Sequence, residues 1–331
     1  MTRIMRLATL ALLAALLSCG GPMVAAFGES NDVVIIRSDQ SGAEAATLLN
    51  RALTAESDWL VGEERFQTTI AGPSRLSGLT NRRHIVLLGT WDDPEMADLV
   101  SSRVRGLEPA GPPGTRVVTD IWAEGQVVLA VMGKDGSELS EYIREHGADI
   151  ADELELAARD RLAGSLRDFV EDTEFDVEME GRFGWSLCPP RGYDLHTANE
   201  DRGLVFFRRV RPDRTLFVYW QDGGDADVTQ EFVVATRNRL GTLYFDGDEI
   251  EWRREFVVAS VDFGGRPALE VSGWWGNREL VGGGPFRAYC FAEPSQGRVY
   301  LLDAALFAPA TDKTPLMRNL DAALHTFRAA R

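Results

Sequence analysis

Histidine, cysteine and above all lysine are scarce in this chain. Among 331 residues there are 4 histidines and 3 cysteines, and Lys134 and Lys313 are the only lysines. His84, His146, His196 and His325 show no H-x-H or H-E-x-x-H spacing, so no metal site is expected. A G-x-S-x-G elbow and a G-x-x-x-x-G-K phosphate loop are absent, and Gly282-Gly283-Gly284-Pro285 has the wrong spacing for a dinucleotide turn. No catalytic residue and no cofactor are therefore expected. Positive charge is in deficit: 35 basic residues face 51 acidic ones, a formal net charge of −16. Such a body repels nucleic acid and anionic lipid head groups. No apolar run is long enough to span a bilayer; Leu7 to Leu17 has eleven residues, against the roughly 20 that a crossing helix needs.

That short run belongs to a recognisable signal. Arg3 and Arg6 precede it, and Leu16-Leu17-Ser18-Cys19 followed by Gly20 and Gly21 completes a bacterial lipoprotein signal peptide. Residues 1–18 are expected to be removed and Cys19 to carry lipid, leaving a body two charges more negative. Gly20, in the place where an Asp holds lipoproteins at the inner membrane, points to the outer membrane and the periplasmic side. Residues 19–31 suit a flexible tether of about 20 Å. In that oxidising compartment Cys188 and Cys290 form a candidate disulfide pair, the alternative being two buried thiols.

Hydrophobic periodicity divides the remainder in two. Over 32–172, strands at Val33 to Ile36, Phe66 to Ile70, His84 to Leu88, Arg116 to Trp122 and Gln126 to Met132 alternate with helical patterns. Asp93 with Pro94 starts one helix, and Asp135 with Glu138 forms the capping box of a longer one that Gly147 should bend or interrupt. The order suggests a ferredoxin-like split α/β layer. After Val170, aromatic and β-branched runs separated by Gly, Pro and Asp predict an antiparallel sheet over 173–331 with covering helices, one capped by Asp227 and a last one starting at Thr314-Pro315. The fold class expected is α+β, in two domains.

Two features point towards a ligand. Arg208 and Arg209, with Arg211 and Arg214, gather around one hairpin of an otherwise acidic molecule, where they can hold a carboxylate or phosphate, or pair with neighbouring acids. Trp274 and Trp275 are adjacent on a strand, so their rings leave opposite faces and one of them can line a groove. Tyr289 lies among the aromatic residues of the same region. Trp274, Trp275, Tyr289, Arg208 and Arg209 are the candidate groove.

Several motifs carry a resemblance. Asp120-Ile121-Trp122-Ala123-Glu124-Gly125-Gln126, Pro190-Arg191-Gly192-Tyr193, Gly283-Gly284-Pro285-Phe286-Arg287-Ala288-Tyr289, Gly297-Arg298-Val299-Tyr300, Ala308-Pro309 and Met317-Arg318 together resemble a family of uncharacterised bacterial lipoproteins known as domain of unknown function number forty-eight thirty-seven. The likeness spans nearly the whole mature chain and carries over no catalytic residue. The second half is also distantly similar to PsbP-like and Mog1-like domains, which implies an accessory or binding role. The reading that follows is a lipid-anchored, non-enzymatic envelope protein that meets the membrane through its lipid and binds a small ligand or an envelope protein. The alternatives are an envelope hydrolase acting on a glycan or peptide with a carboxylate pair near Trp274, and a structural subunit of an envelope assembly.

Overall fold

The computed structural model describes residues 23–38, 42–170, 173–223 and 228–330. Cys19 and the signal peptide lie outside the described residues, as does Asp227, the expected helix cap. The described residues form two large sheets, each with its own helices, and one two-stranded sheet, and the α+β class holds.

The first sheet contains β1 (Asp32–Arg37), β2 (Gln67–Ala71), β3 (His84–Thr90), β4 (Gly114–Thr119) and β5 (Val127–Gly133), in the order β2-β1-β3-β5-β4. Only β4 runs antiparallel to its neighbour; β1, β2, β3 and β5 are mutually parallel. This differs from the ferredoxin-like arrangement suggested by the order of elements. The physical reason lies in β3 and β5, in which all seven residues are buried. A strand without a polar face needs cover on both sides, which crossover helices supply in a parallel sheet. Helices α1 (Ala43–Leu53) and α3 (Gly136–Val170) pack on Val33, Ile35, Val86, Leu88 and Leu129, while α2 (Pro94–Arg103) covers Ile36, Ile85, Leu87 and Ala130.

Local signals act as expected at the helix starts. The Asp93 carboxylate accepts hydrogen bonds from the Glu95 and Met96 amides at 3.0 and 3.3 Å. That of Asp135 accepts from Ser137 and Glu138, both at 3.0 Å. Gly147 does not interrupt α3, which runs unbroken for 35 residues. A side chain there would come within 3.2 Å of the Ala52 methyl group, so the glycine lets α1 approach α3. The expected tether is also shorter than 19–31. Val24 and Ala26 already exchange backbone hydrogen bonds with Glu124, and Ser30 and Asn31 are buried.

The second sheet is antiparallel. It is built from β7 (Asp194–Asn199), β8 (Leu204–Arg209), β9 (Asp213–Asp222), β10 (Glu249–Ile250), β12 (Pro267–Asn277), β13 (Gly282–Glu293) and β14 (Arg298–Phe307), in the order β10-β12-β13-β14-β9-β8-β7, with β11 (Val257–Asp262) also paired to β12. Gly264 and Gly265, both at positive φ, turn β11 into β12. One face packs on α4 (Glu174–Phe183) and α6 (Thr314–Leu324) through Phe207, Phe291, Tyr300, Leu302 and Leu320. The other packs on α5 (Gln230–Tyr244) through Phe206, Phe217, Val233, Leu240, Phe286 and Leu301. Burying side chains such as Val233 and Leu240 is worth about 1.5–3 kcal/mol each. Thr229 caps α5, its hydroxyl accepting from the Phe232 amide at 3.2 Å.

Helix α6 also fastens the two sheets together. Arg318 donates to the Ser30 carbonyl at 3.0 Å, pairs with Glu155 of α3 at 3.2 Å and lies 3.9 Å over the Phe66 ring. Lys313 meets Glu63 at 2.6 Å, and Arg287 of β13 stacks 4.4 Å over Trp59. A small cleft of about 210 Å³ remains along this seam, lined by Arg65, Arg287, Arg318, Glu155 and Asp321 among others. Two of its arginines are paired, Arg65 with Asp58 and Asp152 and Arg287 with Glu270 and Asp321, while the Arg318 Nε is buried without a hydrogen-bond partner among the described residues.

The two remaining cysteines do not share a sheet. Cys188 follows β6 (Trp185–Ser186), which pairs only with β15 (Arg328–Ala329), and its amide donates to Thr326 Oγ1 beyond the end of α6. Cys290 lies in β13 with its side chain on the α5 face. Both are free and buried, which corrects the disulfide expectation: the whole sheet stands between the surroundings of the two thiols. Burial pushes the Cys290 thiol up to about 12.

Candidate binding cavity

A cavity with a mixed polar and aromatic lining lies between α5 and the open end of the second sheet. It encloses about 440 Å³, within the range of small-molecule sites. Its walls include Phe206, Phe217, Phe245, Trp275 and Phe307, with Arg208, Asp213, Arg237, Asp246, Asp248 and Asp303 among them.

Strand alternation decides which of the candidate groove residues reach it. Arg208 shares the α5 face of β8 with Leu204 and Phe206, and Trp275 shares that of β12 with Val271. The structure thus brings Arg208 and Trp275 to one cavity. Arg209, Trp274 and Tyr289 leave the opposite face. Arg209 donates to the Arg191 carbonyl at 2.9 Å, Trp274 is covered by Arg254 at 4.0 Å, and Tyr289 is buried, donating to Asp321 at 2.7 Å. Arg208 is not a free cation either, because Asp213 accepts from its Nε and Nη2 at 2.8 and 2.6 Å. This bidentate bond raises the guanidinium pKa.

The glycine run 282–284 explains how Trp275 is held. Gly284 pairs with Trp275 across β12 and β13. A side chain on Gly284 would fall 1.8 Å from the Leu306 carbonyl oxygen and 3.4 Å from the indole nitrogen. The empty position lets the indole lie across β13, where Nε1 donates to the Leu306 carbonyl of β14 at 3.3 Å. Gly241 does similar service on α5: a side chain there would sit 1.9 Å from the Asp248 carbonyl oxygen. Its absence lets the Asp246–Asp248 turn close against the helix.

Two residues that sequence reasoning passed over form the floor. Arg237 of α5 and Asp303 of β14 are joined at 2.8 Å through Nε and Oδ2, with side chains only 7% and 1% exposed. The Arg237 guanidinium lies 3.7 Å over the Phe286 ring. Its Nε is the atom bonded to Asp303, and its two terminal nitrogens make no hydrogen bond with any described residue. Burial pushes the Asp303 carboxyl up, against the pull of Arg237. Asp248 is likewise raised by burial, against the hydrogen bond from Asn277 and the charge of Arg237. Asn277 is itself fully engaged, donating to Asp248 and to the Asp246 carbonyl and accepting from the Glu279 and Leu280 amides. An acid inside the apolar run Tyr300 to Phe307 was the available signal for this floor. Among the described residues no group of three or more His, Cys, Asp or Glu side chains is placed to hold a metal ion.

Comparison with known proteins divides the chain at the same place as the sheets. Residues 172–326 match the family described as a domain of unknown function (DUF4837), so the resemblance holds over the second domain. Residues 26–167 match a separate domain of unknown function (DUF8532), and the motif Asp120 to Gln126 falls there. The likeness expected over nearly the whole mature chain is thus shared between two families. No curated protein matches the chain. Solved structures with some similarity include the Ran-binding protein Mog1p of Saccharomyces cerevisiae, at 9% identity and a TM-score of 0.32, covering 44% of this chain and 90% of that one. LpqN, involved in cell envelope biogenesis of Mycobacterium tuberculosis, aligns at 15% identity with a TM-score of 0.31, over 44% of this chain and 83% of its own. Likenesses of this size carry no argument about function.

Proposed function

We propose that this protein is a lipid-anchored envelope protein whose second domain is a non-enzymatic binding module, taking a small ligand in the cavity between α5 and the sheet. The observation that carries the reading is Arg237: its side chain is 7% exposed, it lines the 440 Å³ cavity, and its terminal nitrogens bond no described residue. Donors that no protein acceptor meets are available to a ligand that enters the cavity. The aromatic walls supply the apolar contact that small-molecule sites use, with a few polar groups to fix orientation.

The test is retention of a ligand from the envelope. Full-length protein purified from its own membranes carries a small molecule that denaturation releases and mass spectrometry detects. Ala305→Phe, which fills the cavity from β14, carries none. Equal recovery from both forms, or from neither, refutes the reading. The anchor is tested separately: Cys19→Ala should leave the membrane fraction and lose fatty-acid label, and a variant that remains membrane-bound refutes lipidation. A hydrolytic role would draw on Asp246 and Asp248, the two cavity carboxylates not bound to arginine; turnover of a glycan or peptide abolished by Asp248→Asn would favour it over simple binding.

A further inference from the structure

We infer that the cavity ligand is an uncharged saccharide, its pyranose ring stacked on Trp275 and its hydroxyls shared between Arg237 and the aspartates. The inference rests on the binding reading above and adds the chemical class.

The open valences of the cavity decide the class. Arg208 and Asp213 satisfy each other, and Asp303 holds only the Nε of Arg237. What remains to meet a ligand is a fork of donors on Arg237 and acceptors on Asp246 and Asp248. A carboxylate or phosphate would suit the fork but would enter beside two carboxylates without a cation partner, in a chain of net charge −16. An ammonium group would suit the carboxylates and leave the Arg237 fork unanswered. Vicinal hydroxyls accept from the guanidinium and donate to carboxylates in the same molecule, with no net charge to desolvate. Arg237, Asp246 and Asp248 all line the one cavity, which offers donors and acceptors to a single ligand.

The apolar walls fit the same class. Trp275 is half-buried and pinned at both edges of its position, by the Leu306 carbonyl and by the side-chain-free Gly282 and Gly284. It therefore offers a fixed flat face whose ordering costs nothing on binding. Phe245, held edge-on to Phe206 at 4.8 Å, and Phe307, 6.3 Å from Trp275, extend that surface.

The experiment uses the full-length chain in a detergent without a sugar head group. Methyl pyranosides of glucose, galactose, mannose and N-acetylglucosamine, and β-linked disaccharides of the same sugars, are titrated by saturation-transfer NMR and tryptophan fluorescence. At least one is expected to bind, with a disaccharide tighter than its monosaccharide. Trp275→Ala and Arg237→Met should each weaken binding about tenfold or more, a loss of about 1.4 kcal/mol, and Trp274→Ala, on the opposite face, should leave it unchanged. If Arg237→Met fails to fold, Asp248→Ala takes its place with the same expected loss.

The inference is overturned if no sugar binds at about 10 mM, which would limit affinity to weaker than roughly −3 kcal/mol. It is equally overturned if Trp274→Ala and Trp275→Ala weaken binding alike, or if dansylcadaverine or dansylglycine, probes with a cationic or anionic end, competes for the cavity more tightly than every sugar. A non-carbohydrate ligand recovered from the envelope and lost in Ala305→Phe would sink the saccharide while leaving the cavity reading intact. Absence of any recovered ligand would sink both.

Discussion

Removing one member of the Arg237–Asp303 pair should unfold the second domain far more readily than removing both. The two side chains are 7% and 1% exposed, so Asp303→Leu leaves a largely buried guanidinium over the Phe286 ring without its carboxylate. Breaking a buried pair in this way costs about 3–5 kcal/mol, a large part of the 5–15 kcal/mol that typically holds a domain. The direction of the Asp303 shift shows which effect wins in the intact pair: burial raises the carboxyl above 3.8 in spite of Arg237, so desolvation exceeds attraction. The contribution of this carboxyl to stability accordingly falls as pH rises from 3.8 through its folded pKa. Arg237→Met combined with Asp303→Leu should therefore restore stability to within about 1 kcal/mol of the natural chain or exceed it by about 1–4 kcal/mol. The double variant should nevertheless retain no envelope ligand. Urea denaturation of the four members of the cycle, followed by fluorescence and circular dichroism, gives the free energies, and mass spectrometry gives the ligand. A loss below about 1 kcal/mol in Asp303→Leu, or a double variant as unstable as that single one, would refute the account of the pair.

Acid should weaken the fold through two histidines. Burial depresses His84 to about 3 and His325 to about 4 from the ordinary 6.5, so unfolded histidines take up protons that the folded ones refuse. Stability is lost as pH falls from 6.5 towards 4, by roughly 3 kcal/mol for each histidine at about 1.4 kcal/mol per unit. His325→Phe should flatten the urea-midpoint profile in that window, and an unchanged slope would contradict the assignment. Gly241→Ala should cost about 1–3 kcal/mol and abolish ligand retention, because its methyl group meets the Asp248 carbonyl oxygen; an unaltered melting temperature would count against that contact. Cys188 and Cys290 should be recovered as free thiols in a non-reducing peptide map and react with a thiol reagent only after unfolding, since both are buried and burial raises both thiol pKa values.

What the sequence alone determined was local. The capping carboxylates of Asp93 and Asp135, the Gly264-Gly265 hairpin and the apolar stripe of α6 each act within a few residues, so their geometry is written in neighbouring side chains. The same holds for the opposed rings of Trp274 and Trp275, which follow from strand alternation. Even the apolar runs of β3 and β5 carried the signal of a sheet covered on both faces, although strand order depends on pairings across dozens of residues. Only the tertiary structure decided which tryptophan meets a cavity, because that depends on where α5 lies. Only it separated Cys188 from Cys290 across a sheet. An arginine in a helix reads as solvated and a glycine run as a turn until a partner strand arrives. Arg237 became a buried donor when Asp303 came beneath it from β14, 66 residues along the chain, and Gly284 became the bed of Trp275 when β12 and β14 closed around β13. Those positions are set by the packing of distant elements on one another, and no stretch of sequence contains that information by itself.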